Sequence, residues 1–125
     1  LGKVSVFIPG HLLADGLARG GRGAYSNVAC LSPAGAQRWY ELCIRDPEAG
    51  RALGRRIAAW WKENIAPLIT RDGLANFAAD KASAVAGGWL PGMTTRMRWP
   101  YRSAEPATAR RIGESARAEL PELFG

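Results

Sequence analysis

Metal-binding and redox side chains are almost missing from this sequence. It has one histidine, His11, and two cysteines, Cys30 and Cys43, thirteen positions apart and outside any CxxC pair. That is too few ligands for a structural zinc site. Neither thiol has a base to activate it, which sets cysteine catalysis aside. The expectation is two buried free thiols in a reducing cytoplasm, with no metal and no cofactor. No run of 18 apolar residues occurs, so nothing reads as a membrane span, and Leu1-Gly2-Lys3 does not open a signal-peptide pattern. Internal repeats and low-complexity tracts are absent. Lysine is scarce as well, three residues (Lys3, Lys62 and Lys81) against fourteen arginines.

What is present is ordinary globular material. With 47% hydrophobic and 22% charged residues over 125 positions, the chain is at most one domain's worth of protein and is not expected to be disordered. The net charge is +6, and a basic balance raises the question of nucleic acid or a membrane surface. The arginines are scattered, however. Only the stretch Arg96 to Arg102 is dense, with Met97, Trp99, Pro100 and Tyr101 interleaved. Such a stretch suits single-stranded nucleic acid through phosphate contact and base stacking, or else it is solvated arginine over aromatic faces. The second reading is preferred, giving no nucleic-acid and no membrane partner.

Along the chain, Val4-Ser5-Val6-Phe7-Ile8, closed by Pro9-Gly10, reads as a strand buried on both faces, as in parallel sheets. Leu12, Leu13, Leu17 and Ala18 form a short helical stripe that Gly20, Gly21 and Gly23 end. Residues 24–29, Ala-Tyr-Ser-Asn-Val-Ala, read as a second strand. Ser32-Pro33 then supplies a serine cap and a proline at the first helical position, predicting a helix through Ala36, Trp39, Tyr40 and Cys43. This βαβα order predicts a parallel strand pair. Two such strands leave open edges and an uncovered face, so they call for further strands that the chain does not contain.

The remainder reads as helices. Asp46-Pro47-Glu48 opens a long one with Leu53, Ile57, Trp60, Trp61, Ile65 and Leu68 on one side and Arg51, Arg55, Lys62 and Glu63 on the other. Pro67 predicts a kink or an end near residues 64–66. A further helix is expected over about 73–86, with Leu74, Phe77, Ala78, Lys81, Ala82 and Val85 on its apolar stripe and Gly87-Gly88 at its end. Residues 89–103 read as an extended loop, and a last helix runs from Glu105 or Pro106 through Ile112, Ala116 and Leu120.

Few residues offer chemistry. Lys81, on an apolar stripe, is the one nucleophilic amine candidate, but its stem can pack while its ammonium reaches water or a carbonyl. His11 follows the first strand at its C-terminal end, where a barrel would have its active-site face and a histidine could bind a carboxylate or move a proton. Tyr25, Ser26 and Asn27 are expected at the same mouth, as pocket lining or as strand-end caps, since such a polar run needs hydrogen-bond partners. The glycines at 20, 21 and 23 lack the Lys-Ser/Thr of a phosphate-binding loop and precede a strand.

Two motifs carry a family resemblance. Phe7-Ile8-Pro9-Gly10, a short helix, and then Gly23-Ala24-Tyr25-Ser26-Asn27-Val28-Ala29 resemble the seventh and eighth barrel strands of the dihydrodipicolinate synthase and N-acetylneuraminate lyase family. There the eighth strand reads Gly-x-x-Ser-x-x-(Ala/Gly)-Asn. Residues 76–82 resemble the family's Asn-Pro-x-Pro-x-Lys-x-Ala helix start, and Leu90 to Tyr101 the segment leading to its final helix. The resemblance implies the last two βα units of a (β/α)8 TIM barrel over residues 1–45 and a C-terminal helical extension over 46–125, an α/β class overall. It further implies a class I, Schiff-base aldolase or lyase acting on pyruvate or another 2-oxo acid, cytoplasmic and a homo-oligomer.

The imine-forming lysine of that family lies at the end of strand six and its proton-relaying tyrosine on strand four. Both would precede Leu1, so the chain is expected to be inactive alone and to supply a wall of the pocket. Gly10 matches the strand-seven glycine, and Tyr25 the position whose backbone lies against the keto acid, with a larger side chain than the usual Ile or Val. Gly10, His11, Tyr25, Ser26 and Asn27 are the expected substrate contacts. His11, Ala78 and Cys30 depart from the family pattern, which points away from lysine-biosynthetic condensation toward a divergent aldolase or dehydratase. The rival reading is a basic helical module for nucleic-acid binding or for oligomerisation, the latter through Trp39, Trp60 and Trp61.

Overall fold

A computed structural model describes residues 4–125. Two three-residue strands, β1 (Phe7–Pro9) and β2 (Gly23–Tyr25), pair in parallel in the register Phe7↔Gly23, Ile8↔Ala24, Pro9↔Tyr25. Between them a 3-10 turn (Gly10–Leu12) leads into α1 (Leu13–Ala18). After β2 the chain is helical: α2 (Asn27–Leu31), α3 (Pro33–Arg45), α4 (Pro47–Asn64), α5 (Ala66–Thr70), α6 (Asn76–Gly87) and α7 (Pro106–Glu119). A 3-10 turn at Pro121–Leu123 follows. The class is α/β with helices dominant.

Local chemistry accounts for several element ends. The Ser32 hydroxyl accepts from the Gly35 amide at 3.0 Å, and the Asp46 carboxylate from the Ala49 amide at 3.1 Å. Each satisfies an orphan donor in a first turn. Both helices carry proline just inside the cap, where the missing N–H costs nothing. The interruption expected from Pro67 falls at Ile65, which separates α4 from α5. Gly88 ends α6 in the left-handed conformation, φ 74°.

One hydrophobic core joins the chain from Leu13 to Leu123. Trp39 and Trp60, each 2% exposed, are its largest members. Their indole N–H groups donate to the Gly50 carbonyl at 2.9 Å and the Ser115 hydroxyl at 2.8 Å, so burial leaves neither indole unpaired. The middle of the molecule is α6, whose Ala78, Ala79, Ala82, Ser83 and Ala86 are buried. Those small side chains let α2 and α7 pack closely against it.

Four expectations need correction. The first strand covers 7–9 instead of 4–8 and is not buried on both faces, since Val4, Val6 and Phe7 are exposed. The run 24–29 is split: pairing stops at Tyr25, and Asn27–Leu31 is a helix. Its Val28 and Leu31, three apart, reach the core only in a helix, and that tertiary gain overrides the β preference of the run. The helix expected from 73 begins at Asn76. Phe77 is 47% exposed and stacks edge-on with Tyr101, centroids 4.7 Å apart, instead of joining an apolar stripe.

Candidate functional site

The parallel pairing brings the ends of β1 and β2 side by side. Gly10 packs directly on the second strand's exit: a methyl group there would lie 2.6 Å from the Ser26 Cα and 2.8 Å from the Tyr25 carbonyl oxygen. The five expected site residues are therefore neighbours in backbone, yet their side chains diverge. Gly10, His11 and Asn27 border a cavity of about 300 Å³ that opens toward α4. Ser26 borders a second cavity on the opposite side, lined by Leu13, Ala29, Ala36 and Tyr40. Its Oγ is buried without a hydrogen-bond partner. Tyr25 points outward, 81% exposed, beside Phe7 at a ring distance of 6.1 Å.

The first cavity is mostly apolar. Val28, Trp39 and Ile57 are its buried lining residues, and Ala58 and Trp61, like Ile57 from α4, line it where α4 is more exposed. Its polar lining residues are His11 and Lys62, both exposed, and the half-buried Asn27. The Asn27 N–H donates to Asp80 at 2.7 Å, and Asn76 reaches the other oxygen of that carboxylate at 3.5 Å. This tie fastens α2 to α6. Lys62 has no carboxylate within 4 Å among the described residues.

Lys81, the lysine singled out from sequence, donates to the Arg96 carbonyl and pins the loop over residues 89–103 to α6. Lys62, read from sequence as one polar residue on the outer side of α4, instead stands at the cavity. Helical periodicity marks which side of α4 is apolar. It does not say that the last turns of α4 share a cavity with Gly10 and His11, so the sequence held no signal for Lys62.

Both cysteines are free. Burial, and to a lesser extent the Asp80 carboxylate, push the Cys30 thiol above its ordinary range. Burial does the same for Cys43, partly offset by Arg51. Both effects disfavour the thiolate that nucleophilic chemistry requires. Among the described residues no group of three His, Cys, Asp or Glu side chains could hold a metal ion, and no helix is long and apolar enough to cross a membrane.

The fold and the cavity thus define an α/β chain of mainly helical character with an apolar recess, lined in part by Lys62, at the end of a parallel strand pair. No family model, no curated protein and no solved structure matches it.

Proposed function

We propose that this chain forms the closing βα units and helical extension of a (β/α)8 barrel of the dihydrodipicolinate synthase and N-acetylneuraminate lyase type. In this reading it supplies part of a 2-oxo acid pocket to a class I aldolase or lyase. The observation that supports it best is the parallel β1–β2 pair, joined by a short helix, whose two C-terminal ends adjoin at Gly10 and Tyr25–Ser26. In parallel α/β folds that end is where ligands bind. The unpartnered Ser26 Oγ and the exposed Tyr25 and Phe7 fit strands that expect neighbours on either side. Gly10 and the Tyr25 backbone would line the keto acid, with His11 near its carboxylate.

The imine-forming amine comes from polypeptide outside these 125 residues. Lys81 is committed to a carbonyl, and Lys62 stands on the α4 side of the exit, not between the strands. Trapping with pyruvate and borohydride on the intact gene product tests the reading. One lysine should gain the reduced adduct, and it should be none of Lys3, Lys62 and Lys81. No adduct at saturating pyruvate, or an adduct on one of those three, overturns it.

A second reading draws on one observation. Trp99 is 92% exposed between the exposed Arg98 and Tyr101, an arrangement that suits stacking on single-stranded nucleic acid. Oligonucleotide affinity that falls steeply with salt, and is lost in Trp99→Ala, would favour it. Of the three tryptophans behind the oligomerisation reading, Trp39 and Trp60 are buried in the chain's own core and Trp61 is partly buried against it.

A further inference from the structure

The cavity beside α4 suits a different ligand from the keto acid, and its chemistry can be read from its walls. Its volume, about 300 Å³, is at the lower end of the range for small-molecule sites and large enough for a one- or two-ring body. Two indoles and two aliphatic side chains (Trp39, Trp61, Val28 and Ile57) give it flat, apolar walls. Aromatic faces of this kind favour stacked or edge-on rings. No carboxylate lines it, whereas the exposed Lys62 and His11 do. Lys62 lacks an ion-pair partner among the described residues, so its charge is available to a ligand.

We propose that this cavity binds a small carboxylate with an aromatic body, the ring on the apolar lining that includes Trp39 and Trp61 and the carboxylate at the Lys62 ammonium. Apolar burial supplies most of the affinity, and the Lys62 charge supplies orientation and a preference for anions. The cavity shares Gly10 and His11 with the 2-oxo acid reading, but the proposal needs only the cavity walls and Lys62 and no imine chemistry.

The five tryptophans make the test site-specific. In a ¹⁵N-labelled sample of this chain, 1-naphthoate should shift the indole N–H signals of Trp39 and Trp61 and leave those of Trp89 and Trp99 in place. Dissociation constants on the order of 1 mM are expected for a ligand of this size held by a shallow site. Lys62→Gln should weaken 1-naphthoate about threefold, as for an exposed ion pair, and leave neutral 1-naphthamide unchanged. Ala58→Leu, at an exposed position in the lining, should fill the mouth and weaken both ligands by roughly tenfold or more. Neither substitution touches the core, and unchanged far-ultraviolet circular dichroism would verify folding. Shifts confined to Trp89 or Trp99, or affinities unaltered by Ala58→Leu, would overturn the site. Equal binding of acid and amide, or equal loss of both in Lys62→Gln, would overturn the assignment to carboxylates. Failure of either kind leaves the borohydride result untouched, so the two proposals fail separately.

Discussion

Gly10 carries more of the local geometry than its missing side chain suggests. The backbone after β1 comes so close to the backbone after β2 that a Cβ would sit 2.6 Å from the Ser26 Cα. The neighbour is main chain, so no rotamer change can relieve the contact. Gly10→Ala must push the two strand exits apart, with an expected cost of about 1–3 kcal/mol. Urea unfolding followed by tryptophan fluorescence measures it, and a loss below 0.5 kcal/mol, roughly the scale of a neutral surface change, would mean the exits are not held as described. The same residue shows how far sequence reading reaches. A Pro-Gly step marks a turn, but what the glycine must avoid is a segment fifteen positions on.

At the scale of elements, the C-terminal turn is fastened to α4 by charge. Arg56 donates to the Glu122 carboxylate and, at 2.6 Å, to the Glu119 carbonyl. The hydrogen bond from Arg56, helped by a backbone N–H, holds the Glu122 carboxyl below its ordinary value of 4.5. A carboxyl depressed in the folded state adds stability above its unfolded value and loses it as pH falls through the folded one. Stability should therefore decline below about pH 4.5 by an amount that Glu122→Gln removes. Both side chains are nearly half exposed, so solvent screening keeps the pair under about 1 kcal/mol. Thermal midpoints of the two proteins between pH 3 and 7 check this, and parallel curves would show that the pair adds nothing. The turn also has an uncharged anchor, since the buried Ser32 hydroxyl donates to the Leu123 carbonyl at 2.6 Å. The pH effect is for that reason a loosening and not a release.

Over the whole molecule, the helical part is better covered than the sheet. Helices α2 to α7 bury most of their apolar side chains against one another, Ile44 and Phe77 excepted, whereas the strand pair and the residues leading into it leave Val4, Val6, Phe7 and Tyr25 exposed. Bare strands with apolar side chains are templates for pairing. This chain alone should self-associate with rising concentration, and Val6→Lys should reduce that association by placing a charge at the end of the ladder. Sedimentation velocity at several concentrations provides the measurement, and equal behaviour of the two proteins would place any association elsewhere. Wherever β1 and β2 find strand neighbours, the unpartnered Ser26 Oγ has its chance of a partner as well.

The amino-acid sequence alone determined the longer helices, those over 33–45, 47–64 and 106–119, and the caps or prolines at their starts. Caps such as Ser32 and Asp46, prolines inside first turns and glycines past last ones act within a few residues of where they stand, and the parallel strand pair followed from the βαβα order. Tertiary structure decided the rest. Residues 27–31 are helical because Val28 and Leu31 must meet the core together, and Tyr25, Ser26 and Asn27 part company because pairing stops at Tyr25. Lys62 stands at a cavity because α4 lines the same recess as Gly10 and His11. Each of those outcomes depends on a partner surface supplied from far along the chain, and local pattern carries no record of which surface that will be.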